Sequence, residues 1–217
     1  MKLIHEGVTP ADPLGYGPSA YDELVRHADP ASIAHVASLG LSETGGREFL
    51  EAVARDVAQF PAVCCSYIGV LEEPEGTRAR TVVRFEDGGR RDDVVFEVDG
   101  TPASHVVGRN VCAFSSARVR FPHDHMLASA DADWFLGVPL LDQTGEVIGV
   151  LAAMGRGEPG DTCDVLETMH LLAGRASLEL ERILADRLAD TERHMLEDLL
   201  IRRTAELGAI KESHPSL

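Results

Sequence analysis

The chain has 217 residues, and 36 Asp or Glu against 20 Lys or Arg give a formal net charge of −16. That length fits one good-sized domain with an appendage, and 44% hydrophobic with 26% charged residues excludes wholesale disorder. So acidic a chain also excludes a nucleic-acid phosphate lattice or an anionic bilayer as main partner, because both reward surplus Lys and Arg.

In chain order, Met1 to Pro18 carry Gly7, Pro10, Pro13 and Pro18 and no apolar run, so neither a signal peptide nor a membrane span is expected. Residues 1–44 predict a helical arm, with short helical patterns at Ser19–Ala28 and Pro30–Leu39. Phe49, Leu50, Val53, Val57 and Phe60 recur at helical spacing until Pro61 stops them. Strands are predicted at Val63–Leu71, Arg78–Phe85 and Asp93–Val98, parted by Glu-Pro-Glu-Gly at 73–76 and Asp-Gly-Gly at 87–89. A short helix from Thr101, a short strand at Val111–Phe114 and a short helix over His123–Ala130 follow. Trp134–Leu141 and Glu146–Met154 then read as a hairpin about the turn Asp142-Gln-Thr-Gly145. This order describes an α+β domain with a central antiparallel sheet.

From about Asp161 to Gly208 the pattern is one long helix. Leu166, Met169, Leu172, Ala173, Ala176, Leu180 and Ile183 make a wide stripe suited to lying on a sheet. Leu184, Leu188, Thr191, Met195 and Leu199 continue at near-heptad spacing. A helix of roughly 45 residues spans about 65 Å, more than one small domain covers, so its distal part is expected to pair in a homodimeric coiled coil. The expected division is therefore an arm at 1–44, a domain at 45–184 and a coiled-coil helix with tail at 185–217.

The residues Asp133-Trp-Phe-Leu-Gly-Val-Pro-Leu140 and Glu146-Val-Ile-Gly-Val-Leu151 resemble the closing hairpin of GAF domains. Gly100, Thr101, Pro102, Val106, Gly108 and Cys112, then Phe121, Pro122, Asp124 and Leu127, are similar to a GAF subgroup of bacterial sensor kinases and signalling proteins. Ala103 stands where many of that subgroup carry Cys, and Trp134 where Tyr is commoner. The resemblance implies a non-enzymatic sensory module of bacterial signal transduction, a small-molecule pocket between sheet and inserted helices, and helices that relay a signal. It implies as candidate pocket residues Phe96, Arg109, Cys112, Phe114, Arg118, Arg120, Phe121, Asp124 and Trp134.

Arg109, Arg118 and Arg120 are positive where that pocket is expected, so they read either as solvated charges on a loop, the leading reading, or as the attraction for an anionic ligand. Cys64, Cys65, Cys112 and Cys163 have no CxxC spacing, so neither a zinc site nor a disulfide framework is signalled, and a cytoplasmic location is expected. Cys112 reads as a small buried hydrophobe more readily than as a redox thiol, and a methionine sulfoxide reductase-like enzyme is the minor alternative. His123 and His125 stand at i and i+2, about 200° apart on a helix, and so do not share a metal ion there. A lone His105 as haem ligand is a further minor reading; no cofactor is required by the sequence. The expected partners are a small molecule, a second copy and a separate signalling output protein, with a ligand-free interaction module as the competing reading.

Overall fold

The apolar stripe Phe49, Leu50, Val53 and Val57 is buried along helix α1 (Gly46–Ala58). The computed structural model describes residues 45–72, 77–159 and 162–213, with side chains as far as Arg203; the expected arm at 1–44 and the turn at 73–76 lie outside them. Strands β1 (Cys65–Leu71) and β2 (Arg78–Glu86) pair antiparallel. The tight turn after β2 puts Asp87 and Gly88 at φ 49° and 75°, the mirror-type geometry that matches strand twist.

Strands β3 (Gly89–Arg90) and β4 (Val95–Glu97) both pair with β2. They are one edge strand interrupted where the Thr81 hydroxyl accepts the Val94 N–H at 2.8 Å in place of a ladder carbonyl. The strand expected over Asp93–Val98 is shortened for that reason. Helix α2 (Ala103–Val107), strand β5 (Cys112–Phe114), and helices α3 (Ala117–Arg120) and α4 (His125–Ser129) follow. Strands β6 (Trp134–Leu141) and β7 (Val147–Gly155) close the sheet, and α5 runs Cys163–Ser213. The β6–β7 turn is held by Asp142, whose Oδ1 accepts the N–H groups of Thr144 at 2.8 Å and Glu146 at 2.9 Å, while Gly145 takes φ 84°.

The sheet has seven strands in the order β3-β2-β1-β7-β6-β5, with β4 beside β2, and its pairings are antiparallel. One face is covered by α1 and the first part of α5. The Arg175 guanidinium lies 4.2 Å from the Phe49 ring centroid, and the Gly46 N–H donates to Glu179 Oε2 at 2.6 Å. The buried apolar residues of α5 there are Val165, Leu166, Met169, Leu172, Ala173, Ala176 and Leu180. The opposite face is covered by the segment 100–133, which carries α2, β5, α3 and α4.

The described residues up to Leu180 form one compact unit and those from Glu181 a second. In the second unit the helix exposes Leu188, Met195, Leu196, Leu199, Leu200 and Ile201. At 100° per residue, Leu188, Met195 and Leu199 fall within about 40° of arc, and Leu196 and Leu200 widen it to about 140°. Among the described residues no helix is long and apolar enough to cross a membrane.

Candidate functional site

Segment 100–133 joins the sheet edge through β5 and otherwise packs on it through side chains, its helices having only five, four and five residues. Helices so short are not self-supporting and depend on what they cover. Alternation along the strands sends Cys65 and Tyr67 of β1, Phe135 of β6 and Val150, Ala152 and Met154 of β7 to this face. They meet Val106, Cys112, Phe114, Met126 and Leu127 in one buried cluster, with Phe96 and Phe121 partly buried against it. Gly137 is the notch that seats α2: a Cβ there would stand 2.5 Å from Val106 Cγ2 and 2.7 Å from Phe135 Cε1.

Three aromatic rings gather toward the outside of the cluster. His105 meets Phe114 at 5.1 Å and Phe121 at 5.9 Å, and Phe114 meets Phe121 edge-on at 5.1 Å. The Arg120 guanidinium lies 5.0 Å from the Phe114 ring centroid. On the β1 side, Tyr67 and Phe96 meet edge-to-face at 5.8 Å.

Asp124 is the N-cap of α4, not a first-turn residue of a helix begun at His123. Its Oδ1 accepts the N–H groups of Met126 at 2.7 Å and Leu127 at 3.0 Å, so the helix starts at His125. Burial pushes the Asp124 carboxyl above its ordinary range, and those two hydrogen bonds only partly offset it. Burial also holds the Tyr67 hydroxyl well above its ordinary value, and the nearby Asp124 charge adds to the effect. Directly opposite Tyr67 in the β1–β2 register is Arg84, whose Nη2 donates to Glu86 at 3.0 Å while its Nε is buried without a partner among the described residues.

The three arginines expected to draw an anion do not converge. Arg109 pairs with Glu146 of the β6–β7 turn, and Arg118 pairs with Asp131 and, at 2.9 Å, with Asp133; all of these are on the surface. Only Arg120 reaches the cluster, and it does so from outside. Trp134 is not on this face. Alternation along β6 turns it away from Phe135 to the α1/α5 side, where the space over Gly155 takes its indole and its Nε1 has no partner among the described residues. Phe96, Cys112, Phe114, Phe121 and Asp124 are brought together. The residues missed are Tyr67 and Arg84, together with Val106, Met126, Leu127 and Phe135.

The buried cysteines sit as thiols. Desolvation pushes Cys112 up to about 11 and Cys65 up to about 12. Cys64 is raised too, although Arg156 pulls it back, and its Sγ lies 3.7 Å from the Ala130 carbonyl. Among the described residues no group of three or more His, Cys, Asp or Glu side chains gathers to hold a metal ion. The face offers aromatic and aliphatic surface.

The architecture matches solved structures over most of their length. The GAF domain of a phosphoenolpyruvate-protein phosphotransferase from Coxiella burnetii superposes with a TM-score of 0.56 at 13% identity, over 73% of this chain and 95% of that one. The phycoerythrobilin-bound GAF domain of a cyanobacterial phytochrome gives 0.54 at 12% identity, over 72% and 96%. The fold is that of a GAF domain. A type II free methionine-R-sulfoxide reductase from Thermoplasma acidophilum is similar as well, with a TM-score of 0.51 at 15% identity over 63% of this chain and 92% of that one. No protein-family model matches the sequence, nor does any curated protein sequence. These three neighbours differ in role, so the GAF fold by itself selects none of their activities.

Proposed function

We propose that this GAF domain is a non-enzymatic, cytoplasmic sensory module of bacterial signal transduction. A small molecule binds between the sheet and segment 100–133, and the change in packing passes to a homodimeric C-terminal helix and from there to a separate output protein. The observation that carries this reading is the build of the cover: three helices of at most five residues, with the three-residue strand β5 as its backbone link to β6. Strain points the same way. Of the four described non-glycine residues with positive φ, Arg109, Ser116 and Asp131 lie in this cover. Three thiols kept protonated by burial favour binding over cysteine chemistry.

The exposed apolar arc of Leu188, Met195 and Leu199 supports pairing with a second copy. Sedimentation of the full chain is expected to give a dimer, and Leu188→Glu with Leu199→Glu a monomer of unchanged melting temperature. A monomeric parent refutes the relay. Thermal scanning against nucleotides, haem and small metabolites is expected to find at least one stabilising compound; silence across them refutes the ligand. The side chains that already fill the covered face favour a second reading, an interaction module with no ligand, and that silence is what it expects.

A further inference from the structure

We propose that a second copy of the chain pairs with the distal part of α5 antiparallel, so that Glu192 of each chain meets Arg203 of the other across a two-fold axis midway between Glu197 and Asp198. The inference rests on the homodimer reading above and names the orientation and register of that pair.

Beyond Glu181 the apolar arc of α5 is interrupted by charge at two places. Measured from Leu188, the exposed residues Met195, Leu199, Leu196 and Leu200 run from about 20° on one side to about 120° on the other. Glu192 falls about 40° and Arg203 about 60° round in that second direction, so both stand inside the arc, and both are exposed. The other charged residues from Asp186 to Arg202 fall outside it. Glu192 and Arg203 are three turns apart, about 16 Å along the helix.

Two helices that bury this arc against each other take both charges into the seam. In a parallel pair in register each residue meets its own copy, so Glu192 faces Glu192 and Arg203 faces Arg203. Those are two like-charge contacts in a partly desolvated place. Turning one helix end for end about the middle of the arc sets Glu192 against the partner's Arg203, Met195 against the partner's Leu200, and Leu196 against the partner's Leu199. Every layer then joins apolar to apolar or acid to base, and the two-fold axis makes each contact twice. A parallel pair slid by three turns would match Glu192 to Arg203 only once. It would also leave a head-to-tail surface that does not close.

Charge reversal in the full chain separates the orientations, with the dimer dissociation constant read by sedimentation equilibrium. In the antiparallel pair Glu192→Arg sets Arg against Arg at both ends of the arc, and Arg203→Glu sets Glu against Glu. Each is expected to weaken the dimer by about 10-fold or more. The double variant exchanges the two charges, keeps the parent's net charge and is expected to return to within about 3-fold of the parent. In a parallel pair a single reversal only replaces one like-charge contact by another, so it leaves affinity where it was. Glu192→Arg also makes the chain less acidic, so a weaker dimer cannot come from repulsion between two acidic chains. Single variants that match the parent, or a double variant no tighter than the singles, overturn the antiparallel register and leave the homodimer standing. A monomeric parent overturns both.

Discussion

Gly137 shows how the cover is seated, and Gly137→Ala tests it. The added methyl would stand 2.5 Å from Val106 Cγ2 and 2.7 Å from Phe135 Cε1, well inside contact distance, and both neighbours are almost wholly buried. Overpacking of a closed core costs about 1–3 kcal/mol. Val106 is fully buried, so Val106→Ala alone deletes two methyl groups and costs about 1–3 kcal/mol in lost burial and residual cavity. In the double variant the alanine methyl at 137 enters the space that Val106 leaves. The two losses should therefore fail to add, with a coupling of about 1–2 kcal/mol in favour of the double variant. Urea unfolding of the four proteins with a common m value measures this directly. Additivity to within about 0.5 kcal/mol would refute the seating of α2 on Gly137, and with it the idea that the cover is positioned by that contact.

Ser66 is fully buried on β1 and its Oγ has no partner among the described residues, so Ser66→Ala is expected to stabilise the domain by about 1 kcal/mol in urea unfolding. A loss of that size would mean the hydroxyl is satisfied, as by a bound water. Asp124→Ala is expected to cost about 1 kcal/mol through the lost cap, whereas Asp124→Asn keeps the cap and removes a buried charge. Because the native Asp124 carboxyl titrates above its ordinary 3.8, the native state holds the extra proton and stability falls as pH rises from that value through the native one. The Asn variant should therefore gain on the parent from pH 3 to pH 7, and a gap that shrinks over that range contradicts the burial effect. Cys112 is raised from 9.0 to about 11 and Cys65 to about 12, so at pH 8 the thiolate fraction, and with it labelling by an aromatic disulfide, should fall roughly 100-fold at Cys112 and roughly 1,000-fold at Cys65 relative to a free thiol. Mass mapping of the labelled sites checks this, and fast labelling at 112 would show a low thiol pKa or a cover that opens readily.

How much was legible depended on whether local chemistry or long-range pairing decided the outcome. The hairpin Trp134–Leu141 to Val147–Gly155 could be read because its turn is fixed by one side chain, Asp142, acting on residues within four positions. Helix α1 could be read because its buried residues keep one period. Which way Trp134 and Tyr67 face could not. The runs Trp-Phe-Leu-Gly-Val-Pro-Leu-Leu and Cys-Ser-Tyr-Ile-Gly-Val-Leu are buried on both faces, so polarity does not alternate to mark a side. Helix α3 carried no signal, since Ala117 is its only buried residue and Val119 is 81% exposed. The partners of Arg109 and Arg118 lie across loops, where no spacing rule reaches.

The arginines show why surplus charge is a poor guide to a ligand in this chain. With 36 acidic residues against 20 basic ones, a surface arginine meets a carboxylate by abundance alone. Arg47, Arg78, Arg80, Arg90, Arg109, Arg118, Arg156 and Arg193 all do. Such pairs are screened and close to neutral in free energy, so they mark neither stability nor recognition. A positive cluster in an acidic sequence therefore points first to neighbouring acids and only second to an anion. Buried groups obey the opposite logic. Taking a polar atom out of water is unfavourable unless something replaces the water, so an atom that stays both buried and unpaired is the rarer observation. Ser66 and Trp134 hold such atoms on the α1/α5 side, where packed helices close the face. Arg84 holds its own on the other face, as the cross-strand neighbour of Tyr67.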